Sequence, residues 1–328
     1  MGKMIFLWLG FIALIIFLLV FDLGVLNRKA HEIGTKEALK WTLLWVSVSL
    51  LFNVAIYFLY QHHVAGIGLE PGREIDGKQA ALQYLTGYLV EYSLSIDNIF
   101  VIALIFTYFA VPRIYQHRTL FWGIVGAQIM RGAMIGGGIA LIRKLDWMIY
   151  VFGALLLFTA FKLLAQKNEE IEPEKNPLLK FARRFFRVLP DFEGERFFSR
   201  LDGKLAVTPL FLVLLVIEST DVMFAVDSIP AIFAVTLDPF IVFSSNMFAI
   251  LGLRSLYFAL AAMMGMFRYL KYSIVLVLAF VGVKMLVSHF YHIHALASLG
   301  VIAALLAGGI AASLIKDKRD KPAGDDAG

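Results

Sequence analysis

Glu91-Tyr92-Ser93-Leu94-Ser95-Ile96-Asp97-Asn98-Ile99 and Asp221-Val222-Met223-Phe224-Ala225-Val226-Asp227-Ser228-Ile229-Pro230 are near copies, and Glu218 precedes the second. Each sets a carboxylate six residues before Asp-Asn-Ile or Asp-Ser-Ile. Each lies inside a long apolar run, Ala80–Phe109 and Leu205–Leu237. Ionisable groups at hydrocarbon depth are costly, so such acids mark function by default. An ion pair that merely holds helices together explains one such acid well. It explains two matched clusters poorly.

The whole composition agrees. Of 328 residues, 60% are hydrophobic and 17% charged, with a mean hydropathy of +0.77. That is an all-α polytopic membrane protein. A β-barrel would show short alternating segments instead. There is no cysteine, so disulfides, thiolate metal sites and Fe–S clusters are excluded, and a metal must be met by oxygen or imidazole. The pI of about 9.2 reflects membrane topology and not a nucleic-acid partner, because the basic residues fall in loops of one parity.

Nine spans fit the apolar runs: Met4–Leu26, Trp41–Tyr60, Ala80–Phe109, Arg118–Leu141, Asp146–Leu164, Leu205–Leu237, Phe240–Gly265, Ser273–Phe290 and Ala295–Ile315. The first lacks a cleavage site and reads as an uncleaved helix, with Asp22 at its far end as a snorkelling terminus or a site member. Nine spans leave Lys3, Arg73, Lys78, Arg143 and Lys144 on one side and twenty-one Lys/Arg on the other. The positive-inside rule then puts the N-terminus outside and the C-terminus in the cytoplasm.

The four remaining bases, Arg131, Lys162, Arg254 and Lys284, lie within spans. Setting Asp97 on Asp227 also brings Arg131 near Arg254 and Lys162 near Lys284. Two N-terminal helices (1–79) therefore precede a three-helix unit (80–164), a cytoplasmic loop (165–204) and a second unit (205–290). A last span (291–315) and a disordered tail (316–328) follow. Because three is odd, the second unit is inverted, a plan that secondary transporters use with sites at the repeat interface. In the loop, Leu178, Phe181, Phe185 and Leu189 recur at helical spacing after Asn176-Pro177, and predict an amphipathic helix on the inner leaflet.

Asp22, Glu91, Asp97, Glu218, Asp221 and Asp227 outnumber the in-span bases by two. A divalent cation would neutralise that excess. Arg131, Arg254, Lys162 and Lys284 are its charge-balancing partners. Residues six apart point about 240° apart on a helix, so convergence of both acids of a cluster requires a break or an intervening helix. Pro230 favours a break near Asp227–Ile229. Asn98 and Ser228 would add neutral oxygens. Such ligands suit Mn²⁺, Mg²⁺ or Ca²⁺ more than copper or zinc. His62, His63, His289, His292 and His294 read as interfacial residues more readily than as a metal-gathering entrance. Asn53 and Asn246 read as interhelical hydrogen-bonding residues. Gly136-Gly137-Gly138 reads as a packing or bending site.

The two clusters, the block Thr208-Pro209-Leu210 through Ala231, and Asn246–Arg254 closely resemble the TerC family of bacterial integral membrane proteins, in its Alx-type branch of manganese exporters. The resemblance runs from about Phe6 to Ile315. It implies an inner-membrane protein and Mn²⁺ efflux, with Asp22, Glu91, Asp97, Glu218, Asp221 and Asp227 in the path. Mn²⁺ is then cargo, and no permanent cofactor is expected. The bilayer is the expected partner, and the oligomeric state is not readable. The family also includes roles in metal delivery with partners and in tellurium resistance. Direct tellurite export is physically awkward, since a carboxylate-lined path repels an oxyanion. An enzyme is not expected: an intramembrane aspartyl protease needs Tyr-Asp and Gly-x-Gly-Asp, whereas the chain has Ile96-Asp97 and Val226-Asp227.

Overall fold

The computed structural model describes residues 2–24, 34–70, 73–145, 147–165, 177–201, 203–261, 270–288, 290 and 293–320. Long helices dominate: α1 (Gly2–Gly24), α2 (Thr35–Gln61), α3 (Gly77–Tyr108), α4 (Arg113–Lys144), α5 (Met148–Ala165), α7 (Pro209–Phe233) and α11 (Ala295–Asp320). These seven are long and apolar enough to cross a membrane among the described residues. Large apolar side chains cover their outward faces, including Phe6 (75% exposed), Ile129 (69%) and Phe161 (71%). Such a surface needs hydrocarbon around it.

The remaining expected spans differ from simple rods. Phe240–Gly265 is a bent pair, α8 (Pro239–Leu251) and α9 (Leu253–Ala261), turned by 41° and an eighth span if taken as one. The break falls at Gly252. Ser273–Phe290 corresponds to α10 (Leu270–Val287), of 18 residues, which is not among the eight. Leu205–Leu237 does not begin as helix: β3 (Phe198–Leu201) and β4 (Lys204–Val207) pair antiparallel there. Pro209 at the first helical turn then starts α7, where its missing N–H is harmless. The hairpin explains why that apolar run exceeds one span. Between the two units lies α6 (Pro177–Phe185), with Leu179 buried and Phe181 and Phe185 exposed. At the other end of the chain α11 extends to Asp320, past the expected end at Ile315.

Side-chain caps set other starts. Asp76 accepts from Gln79 N at 2.6 Å to start α3. Asp238 accepts from Phe240 N and Ile241 N, both at 3.0 Å, to start α8. Tyr60 of α2 donates to the same Asp238 carboxylate at 2.6 Å and ties two helices at one end of the bundle. That end also carries the short pair β1 (Leu69–Glu70) and β2 (Arg73–Glu74). His63 sits against it, 3.1 Å from Glu74, so this histidine has a structural partner.

Close approaches fix the helix directions. On α4, Gly123 faces Ile217 and Gly138 faces Phe233, so α4 and α7 run the same way. Gly87 faces Ser245 and Gly252 faces Tyr92, so α3 and α8 do too. Gly153 meets Met285 and Gly282 meets Leu156, so α5 and α10 are antiparallel. Small residues permit these approaches where helices have no water to expel. Of the glycine triplet only Gly138 is packed closely, and α4 is continuous through all three.

Candidate functional site

Three helices meet at Arg131. It sits on α4 and is fully buried. Its Nε and Nη2 donate to the two carboxylate oxygens of Asp221 on α7, at 3.0 and 2.8 Å. Its Nη1 donates to Glu91 Oε1 on α3 and to Ser228 Oγ at 3.2 Å. The matched clusters therefore do meet, through an arginine. The planar guanidinium suits this: it can hold one carboxylate bidentately and still reach a second. Glu91 is also fully buried, and its Oε2 has no hydrogen-bond partner. Glu218, one turn before Asp221, lies against Gly126, where any Cβ would meet its carboxyl group. It forms no hydrogen bond among the described residues.

A second buried arginine is built differently. Arg254, on α9, pairs with Asp22 near the end of α1, and its Nη1 is 2.8 Å from His117 Nε2. Guanidinium only donates, so His117 Nε2 accepts here. Asp22 is 4% exposed and is not a snorkelling terminus. Its position near the far end of the first apolar run slightly favours a terminus; its carboxylate is instead buried against the second arginine.

Asp227 takes a third position. The helix α7 is unbroken through Pro230, so Asp221 and Asp227 keep the divergent directions of a regular helix, and the expected break is not there. Thr159 on α5 donates to Asp227 Oδ1 at 2.7 Å, and Lys162 lies within electrostatic reach. Lys284 forms no hydrogen bond or ion pair among the described residues. The backbone of Asp97 belongs to α3; its side chain lies outside the described residues, as do His289 and His292. His294 lines an open recess beside Asp76. Neither side-chain atom of Asn246 has a hydrogen-bond partner, so its expected interhelical bond is not formed.

Two small cavities adjoin these groups. One, of 30 Å³, is lined by Asn98, Thr220, Asp221, Phe224 and Arg254 among apolar side chains. The other, of 70 Å³, is lined by Asn98, Thr159, Phe224, Asp227 and Ser228 among others. Among the described residues no three His, Asp or Glu side chains stand close enough to hold one ion. Thr159 and His117 were missed by sequence reasoning. The only signal for Thr159 is its place three residues before Lys162, on that lysine's face.

Residues 76–321 match the integral membrane protein TerC family. The chain belongs to the TerC family. It is 49% identical over 312 residues to an uncharacterized membrane protein of Myxococcus xanthus, covering 95% of this chain and 93% of the other. Over 302 residues it is 46% identical to Alx of Escherichia coli (strain K12), named as a candidate membrane-bound redox modulator, covering 92% and 91%. A membrane protein of Rickettsia bellii (strain RML369-C) is 42% identical over 309 residues, covering 94% and 97%. No solved structure matches the chain. The TerC match begins at Asp76, the cap of α3, and so takes in both units and the Arg131 cluster.

Proposed function

We propose that this TerC-family protein is a secondary transporter that exports divalent cations, Mn²⁺ foremost, from the cytoplasm across the bacterial inner membrane. The observation that carries the reading is a charge mismatch in the interior. Glu91 and Asp221 share a single guanidinium, one oxygen of Glu91 is left without a partner, and Glu218 adds a third carboxylate within electrostatic reach of Asp221. Buried carboxylate in excess of its counter-charge wants a cation. Arg131 then acts as the stand-in: it holds Glu91 and Asp221 together when no ion is present, and yields them when one arrives. Oxygen donors without sulfur favour Mn²⁺ over Cu⁺ and Zn²⁺. The pairing of α3 with α8, α4 with α7 and α5 with α10 supports an inverted repeat, since exchanging the two units maps this set onto itself.

A modulator of redox state, the role in the name of Alx, would have to act here without a thiol of its own, because the chain has no cysteine. Movement of a redox-active metal ion meets that condition; thiol–disulfide exchange does not.

Mn²⁺ flux into proteoliposomes of the purified full-length protein tests the reading. Saturable flux above empty liposomes, with Zn²⁺ a poor substitute, is expected. No flux from folded protein, or preference for Zn²⁺, overturns it. Orientation has its own test. The N-terminus is placed outside, with α6 and the C-terminus in the cytoplasm, from the Lys/Arg asymmetry. A cysteine at position 185 should resist an impermeant thiol reagent in intact cells. Labelling from outside would reverse the topology.

A further inference from the structure

Asp221, Phe224 and Asp227 are spaced by three residues on one continuous helix. Each step of three turns the side chain by about 60° when the full turn is removed. Phe224 therefore points midway between the two acids. The cavities follow that geometry. Asp221 lines the 30 Å³ cavity, Asp227 lines the 70 Å³ cavity, and Phe224 forms a wall of both. The other shared wall is Asn98 of α3. Asn98 is 4% exposed and forms no hydrogen bond among the described residues. A buried amide without a partner needs a ligand or water, and each cavity exceeds the ~10–15 Å³ that one water requires.

We propose that Asp227 and Thr159, with Ser228 and Asn98, form a second cation station, and that Asn98 and Phe224 separate it from the Asp221 chamber. The inference rests on the export reading above and refines its path. Arg131 holds the Asp221 carboxylate bidentately; on the Asp227 side it reaches only the Ser228 hydroxyl, at 3.2 Å, and Lys162 lies within electrostatic reach of Asp227, which leaves a carboxylate, two hydroxyls and an amide oxygen around the cavity. That donor set suits a hard divalent ion. Among the described residues Asn98 is the one polar side chain that lines both chambers, so it is the ligand handed from one to the other. Phe224 carries no donor and blocks direct passage.

The natural absence of cysteine supplies the test. A single Leu163→Cys thiol reports on the larger cavity, which Leu163 lines. Its modification by a small methanethiosulfonate reagent is followed against Mn²⁺ concentration, in parallel with Mn²⁺ flux in proteoliposomes. Mn²⁺ should slow modification. Adding Thr159→Val, which keeps shape and loses the oxygen, should raise the protecting concentration at least about tenfold, the loss typical of a removed supporting partner. Thr159→Ser should restore it. Flux without protection, or protection that Thr159→Val leaves unchanged, overturns the station and leaves the export reading standing. Equal damage from Val and Ser makes Thr159 a packing residue and also overturns it. Protection without flux keeps the station and removes export. Neither flux nor protection removes both.

Discussion

Arg131 and Arg254 occupy matching positions in the two units, Met130-Arg131 against Leu253-Arg254, yet their surroundings differ. Arg131 holds Asp221 and Glu91, one acid from each matched cluster. Arg254 holds Asp22 from α1, outside both units, and meets His117. A strictly symmetric pair of units would give Arg254 a claim on Glu91 equal to that of Arg131 on Asp221. Here Arg131 has taken both. The first helix is accordingly no appendage: it brings the counter-charge that the second arginine lacks. The smaller cavity lies between the two centres, with Asp221 and Arg254 both on its wall. The difference teaches that matched sequence places matched charges, while the choice of partner depends on which neighbour reaches them first.

The largest effect should come from Arg131→Met. It leaves the buried Glu91 and the half-buried Asp221 without their shared counter-charge. Removing one partner of a buried pair costs about 3–5 kcal/mol, so a large drop in thermal unfolding temperature in detergent is expected. Arg254→Met should cost less, because only one carboxylate is stranded. Equal losses for the two variants would erase the contrast. Adding Glu91→Gln to Arg131→Met should recover part of the loss, since it removes one of the stranded charges.

The contrast was half legible in the sequence. The internal match of acids, bases and spacing was readable, because charges stand out against an apolar background. So was the all-α membrane architecture, since a span of about twenty apolar residues is a strong signal. The partners of those charges were not readable. Asp22 with Arg254 joins residues 232 positions apart, and nothing local to either announces the other. Pro230 misled in the opposite direction. It predicts a break, but α7 runs through it to Phe233 and forgoes only the one bond that its N–H would have made to the Val226 carbonyl. Thr159 stayed silent because a threonine within an apolar helix more often bonds to its own backbone.

Asp22→Asn sharpens the second centre. It leaves Arg254 with His117 and the Asp22 carbonyl, and removes a charge-assisted bond of about 1.5–3 kcal/mol. Unfolding temperature should fall, by less than for Arg131→Met. If Asp22 merely anchors Arg254, Mn²⁺ flux per folded molecule should be retained. Loss of flux from normally folded protein would place Asp22 in the path beside Glu91.

Two glycines, one against Glu218 and one just before Arg254, give smaller and opposite effects. At Gly126 a Cβ would run into the Glu218 carboxyl group. That group is the far end of a flexible side chain, so Gly126→Ala should cost only about 1 kcal/mol, the low end for overpacking. Because it moves an acid beside Asp221, it should still lower Mn²⁺ flux. Normal flux would remove Glu218 from the site.

The smallest change is expected at Gly252, in the bend just before Arg254. Its φ and ψ are −77° and −11°, open to any residue. An added Cβ would sit 3.4 Å from Trp45 Cβ and 3.8 Å from Tyr92 Cε2, ordinary contact distances. Alanine also resists helix formation less than glycine, by up to ~1 kcal/mol. Gly252→Ala should therefore leave the unfolding temperature unchanged or slightly raised, with Arg254 still on Asp22. The informative result is a stable protein that has lost Mn²⁺ flux. It would mean that the 41° bend must open and close during transport, and that Arg254 sits on a moving segment while Arg131 sits on a fixed one.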